Sequence, residues 1–431
     1  MKLKNLYILF LLWIITFPEI FSQEFEVVSF DHLKGDTVSK GESLEKIAKA
    51  KKDNSKSAKD NSPDVESLIG QMYEDYYNEY YDEAFNLAMK ISDIPEAQYI
   101  IGSIYVYGSE RIEPDMKEAV KWLEKSIAND NTDAMYLLGY LYVTGDGGET
   151  NQSRGVKLLR SSAEKGNIGA MNNLANIYET GNDIIKKDIK EAIKWYRKGK
   201  SPIYPVSARR LGMLLLENGS ENEYDEAKDL LVMAAMSNDR IAAFNLAQEY
   251  KTGNRLPQSY ENALEWYKKA AELGDVLAMH YLGDMYFTGR GTQQNYPEAL
   301  KWYKEAASHG KTESIFNVGR MLTNSKNYEE AYKYLKKGAD LGDPECMNSL
   351  GYLYINGYGV VKSNEEAFKW IKKAAEAGNI VAMYNVGVMY EKGEGIKQNY
   401  SQAIEWYKKA DKAGYKDAEA ATEAILDKIT P

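Results

Sequence analysis

Cysteine and histidine are nearly missing from this sequence of 431 residues: Cys346 stands alone, and His32, His280 and His309 are the only histidines. A lone cysteine closes no internal disulfide and supplies no cysteine zinc site, and three scattered histidines offer no metal set and no cofactor site. A positive charge balance is missing as well. With 54 Lys and Arg against 64 Asp and Glu, the formal charge is −10 and no basic cluster stands out, so general electrostatic binding of nucleic acid is excluded. The third absence is a long apolar run. Leu6 to Phe17 gives about twelve residues, short of the roughly twenty that cross a bilayer, so no membrane insertion of the mature chain is expected.

What is there suits a folded globular chain, with 44% hydrophobic and 27% charged residues. Lys2 and Lys4 precede the apolar run and Pro18 and Glu19 break it, the layout of a secretion signal. Residues 1–22 are therefore expected to be removed near Ser22, and a secreted or periplasmic location follows. Residues 23–63 are read as a flexible linker, because Lys46 to Asp60 is rich in Lys, Asp, Ser and Ala and has almost no large apolar side chain.

Beyond residue 63 the sequence repeats. Small residues at Gly102, Gly139, Ala175, Gly212, Ala247, Gly283, Gly319, Gly351 and Gly387 are spaced by 37, 36, 37, 35, 36, 36, 32 and 36 residues. Five positions before each lies another small side chain, such as Ala278 or Cys346, and three positions after lies Tyr or Leu, such as Tyr286 or Leu322. These offsets share one side of a helix. The second half of most repeats carries Ala and, three residues later, Trp. In Ala299, Trp302, Tyr303, Ala306 and Ala307 the spacing is that of an amphipathic helix, and the tryptophan is expected to fill the seam between the two helices. Glycines such as Gly289 and Gly291 separate the helices.

These repeats resemble the Sel-one-like repeat family, relatives of the tetratricopeptide repeats; the segments Ala278 to Tyr286 and Ala299 to Ala307 carry the likeness nearly position for position. The resemblance implies an all-α, right-handed α-solenoid of about nine to ten helix-turn-helix repeats of roughly 36 residues. It places a degenerate capping repeat at 64–95, the repeat array at 96–417 and a closing helix at 418–431.

Short helix pairs bury their apolar faces only by stacking, which leaves an extended groove. In tetratricopeptide-like geometry its exposed positions lie three before and one after the small residue. The first set is Tyr99, Tyr136, Asn172, Arg209, Phe244, His280, Phe316, Asn348 and Tyr384; the second includes Tyr140, Asn176, Gln248, Asp284, Arg320 and Tyr352. These vary from repeat to repeat while stacking positions recur, and aromatics with Arg and Asn suit recognition of a protein or peptide. Met135, Met171, Met279, Met347 and Met383 recur regularly and are read as packing. Cys346 occupies a small-residue position and is read as a buried structural thiol.

The expected function is a non-catalytic adaptor or scaffold, a monomer that holds a protein or peptide in the groove. Two other readings stand beside it: a cell-wall or β-lactam-related ligand binder or hydrolase, as suggested for disulfide-rich secreted relatives, and a lumenal quality-control adaptor.

Overall fold

A computed structural model describes residues 65–146, 151–201 and 204–429; the expected secretion signal and linker lie outside them. Among the described residues there are 21 α-helices and no strand. A first pair, α1 (Val65–Tyr77) and α2 (Tyr81–Lys90), precedes nine others. These are α3 (Pro95–Tyr107) with α4 (Met116–Ala128), α5 (Thr132–Thr144) with α6 (Gln152–Glu164), α7 (Ile168–Thr180) with α8 (Ile189–Lys198), and α9 (Pro205–Asn218) with α10 (Tyr224–Met236). Then follow α11 (Arg240–Thr252) with α12 (Tyr260–Glu272), α13 (Val276–Thr288) with α14 (Tyr296–Ser308), α15 (Thr312–Asn324) with α16 (Tyr328–Asp340), α17 (Pro344–Asn356) with α18 (Asn364–Glu376), and α19 (Ile380–Lys392) with α20 (Tyr400–Lys412). Helix α21 (Ala418–Ile429) ends the series. The chain divides into two compact units, one ending at Asp239 and one beginning at Arg240.

Side-chain caps start most of these helices. Asn131, Asn167, Asp275, Asp343 and Asn379 accept from the amide three residues on at the head of first helices, and Asp115, Asp188, Ser259, Asn295, Ser363 and Asn399 do the same for second helices. Each satisfies one of the four orphan donors at a helix start, an effect of about 1 kcal/mol.

Inside a pair, the small residue of the first helix lies against one large side chain of the second. A methyl group at Gly283 would come within 2.5 Å of the Tyr303 ring, and one at Gly387 within 2.5 Å of the Tyr407 ring. Leu123, Leu159, Leu231, Leu335 and Ile371 cover the small residue in the same way elsewhere. This corrects the expectation for tryptophan. The seam is filled by the residue after it, Tyr303 rather than Trp302, and Trp122, Trp266, Trp302 and Trp370 are only half-buried. Lysines lie over their outer faces, Lys301 at 5.3 Å from the Trp302 centroid and Lys373 at 4.5 Å from that of Trp370.

Glycine pairs link one repeat to the one before. Gly291 sits on the Tyr260 carbonyl at the start of α12, Gly359 on that of Tyr328 at the start of α16, and Gly395 on that of Asn364 at the start of α18. All three have φ near +70°. Gly395→Ala combines a left-handed backbone with a methyl group driven onto that carbonyl. It is expected to destabilise by about 2–3 kcal/mol, seen as a lower urea midpoint, while Gly378→Ala, strained but with open space around it, should cost about half as much. Equal losses at the two sites would refute the clasp.

Candidate functional site

Within each unit the first helices also approach one another across repeats, as α3 approaches α5, α5 approaches α7 and α15 approaches α17. They therefore form the inner wall, and the varied positions of the sequence belong to it. In the unit from Arg240 to Pro431 this wall opens into a cavity of about 430 Å³ between α15, α17 and α19. Phe316 and Asn348, three before the small residue, and Arg320 and Tyr352, one after it, all line it. Tyr352 is 51% exposed and meets the Tyr358 ring edge-on at 6.0 Å. Arg320 is exposed, its guanidinium 5.3 Å from the Phe287 centroid and 5.7 Å from that of Phe316. Asn385 donates to the Asn348 amide oxygen at 3.4 Å.

Elsewhere the expected groove residues are drawn into packing. Arg209 is buried and its Nε meets Asp239 Oδ2 at 2.9 Å, with both side chains under 10% exposed. Tyr140 is buried, and that burial, with Asp146 nearby, pushes its phenol up to about 12. Asn172 is 6% exposed beneath Gly199, where a methyl group would reach its amide oxygen at 2.5 Å. Neither polar atom of its amide has a hydrogen-bond partner among the described residues. Tyr99 packs into the apolar cores on both sides of it. Tyr136 lies half-buried over Gly169 and accepts from Asn173 at 3.3 Å. Phe244 meets Tyr267 at 5.9 Å and Tyr384 stacks on Tyr415 at 4.4 Å. Asn176 and Gln248 are half-buried. Most are covered by the later part of their own repeat, Asn172 by Gly199, Arg209 by Asp239, Phe244 by Tyr267 and Tyr384 by Tyr415, and Tyr136 is covered by the repeat that follows.

His280 joins two repeats. Its Nδ1 is 2.8 Å from Ser314 Oγ and its Nε2 is 3.6 Å from Asp284, which accepts from Tyr303 at 2.6 Å. Burial pulls the imidazole below its usual range while Asp284 opposes the shift. The order Ser, His, Asp is that of a nucleophile relay, but Ser314 occupies a stacking position with no exposed surface, so its oxygen cannot meet a substrate. Cys346 is equally enclosed, and burial followed by Asp343 pushes its thiol up, away from the reactive thiolate. Among the described residues no group of three His, Cys, Asp or Glu could hold a metal, and no helix is long and apolar enough to cross a membrane.

The two-offset rule missed part of the cavity. Ser349 and Asn385, two before the small residue, and Asn324, five after, line it too. A signal was present: asparagine recurs two before the small residue at Asn173, Asn245, Asn317 and Asn385.

A family profile described as the Sel1 repeat matches nine consecutive stretches, 95–131, 132–167, 168–200, 205–239, 240–275, 276–311, 312–343, 344–379 and 380–415. Among solved structures the chain is similar to c5321, a protective antigen of uropathogenic Escherichia coli strains displaying an SLR fold. The two are 25% identical, with 85% of this chain and 80% of that one covered at a TM-score of 0.67. It is also 37% identical over 82 residues to a sel1-like repeat-containing protein of Acanthamoeba polyphaga mimivirus, covering 19% of this chain. To the chitin synthase regulator SKT5 of Saccharomyces cerevisiae it is 28% identical over 182 residues, 39% of this chain. The chain spans only 16% and 26% of the lengths of these two relatives. Repeat proteins of this kind generally mediate protein–protein interaction and are generally non-catalytic scaffolds.

Proposed function

We propose that this chain, which belongs to the Sel1 repeat family, is a non-catalytic adaptor that binds a protein partner along the inner wall of α15, α17 and α19. The observation that carries this reading is the cavity itself: Arg320 and Tyr352 are exposed on it, whereas Tyr140, Asn172 and Arg209 at the same offsets are buried. An aromatic edge at Tyr352, a stacked Arg320 and the Asn348–Asn385 amides give contact area and directional bonds at low cost in side-chain entropy. The adaptor works outside the cytoplasm, after removal of residues 1–22.

The test is crosslinking in culture fluid and envelope extract of the source cells, comparing the chain with a Phe316→Ala, Tyr352→Ala variant. Tyr352 is exposed and Phe316 is half-buried at the edge of a core cluster, so the variant should keep its helicity and show only a modest fall in melting temperature. A protein crosslinked to the first and lost from the second, at least tenfold by mass-spectrometric intensity, is the expected result. Identical capture by both would remove this wall as the binding surface.

A further inference from the structure

We infer that the cavity between α15, α17 and α19 takes an extended protein segment carrying an acidic side chain toward Arg320 and a basic one toward Glu394. This deepens the adaptor reading and rests on it. Arg154, Arg197, Arg209, Arg210 and Arg255 all pair with a carboxylate. Arg320 instead rests on two phenylalanine rings and, among the described residues, donates to the neutral Asn317 amide alone, at 3.3 Å. No carboxylate pairs with it among the described residues. The rings hold its guanidinium fork open for a bidentate carboxylate.

Glu394 lines the same cavity and likewise makes no ion pair among the described residues. It follows α19, whereas Arg320 belongs to α15, so α17 lies between the two charges. Between them Ser349, Asn348, Asn385 and Asn324 present donors and acceptors of the kind an extended backbone uses. Neighbouring helix axes lie about 8–10 Å apart, so two steps are roughly 16–20 Å. An extended chain advances about 3.3 Å per residue, which sets the acid and the base some five or six residues apart. A free amino acid, with its charges a few ångströms apart, cannot reach both.

The test selects a phage-displayed library of random twelve-residue peptides against the full chain, and measures enriched peptides by fluorescence anisotropy. Acid and base at that separation should be enriched, with binding lost about tenfold or more in Arg320→Glu or Glu394→Lys. The double variant should prefer the charges in reversed order. Peptides indifferent to both charge variants but lost with Phe316→Ala, Tyr352→Ala would overturn the charge pairing and leave the wall as the binding surface. Peptides indifferent to all these changes would overturn both. No enrichment would overturn the extended-segment proposal, while the crosslinking comparison would still decide whether the wall binds a folded partner.

Discussion

Tyr303→Ala is expected to destabilise the chain by about 3–5 kcal/mol, as other buried aromatic truncations do. Its ring is 1% exposed and packs against Gly283, which has no side chain to move into the space it vacates. The substitution also takes from Asp284 the hydroxyl that donates to it at 2.6 Å. Trp302→Ala is the matched control. That ring is half-buried under Lys301, and its loss should cost roughly 1–2 kcal/mol by the area it covers. Urea titrations followed by circular dichroism measure both. A larger effect at Trp302 than at Tyr303 would put the seam back on the tryptophan.

Arg209→Met should cost nearly as much, about 3–5 kcal/mol, because it leaves the Asp239 carboxylate buried without its guanidinium. The pair itself is no measure of stability. Removing both charges, as Arg209→Met with Asp239→Leu, should recover most of the loss. Thermal melts of the parent, the single variant and the double variant check this. A double variant no better than the single one would rule out loss of the charge pair as the cause.

The fold was legible because stacking imposes the same demand on every repeat. Ala97, Ala134, Ala170, Ala242, Ala278 and Ala382 all have no exposed surface, and that uniform demand produces the period. The residue that fills the seam was misplaced by one position, since Trp302 and Tyr303 both fall on the apolar side of α14 and only the approach of Gly283 separates them. The site was legible in part. Offsets of minus three and plus one reach the cavity at Phe316, Arg320, Asn348 and Tyr352, yet at Tyr99, Asn172 and Arg209 they reach interiors. Sequence spacing fixes the face of one helix; it does not say which neighbour lies over that face. The charge of Arg209 gave no warning, because Asp239 lies thirty residues away in the chain and becomes its partner only when α9 and the turn after α10 fold together.

The clasps of Gly291, Gly359 and Gly395 have a consequence for how the unit from Arg240 onward comes apart. A repeat array behaves as a row of cells whose boundaries each carry a coupling energy, and melting opens first where that coupling is smallest. Between α15 and α16 the chain reads Ser325, Lys326 and Asn327, and no glycine there rests on the start of α14. Without a clasp, that boundary holds by side-chain packing and by the contacts of His280 with Ser314, Lys304 with Glu330 and Lys337 with the Ala307 carbonyl. It is the natural position of the wall between ordered and melted repeats, and it lies one helix pair before α17, so the amide protons of α15 should lose protection in the same opening that disassembles the cavity.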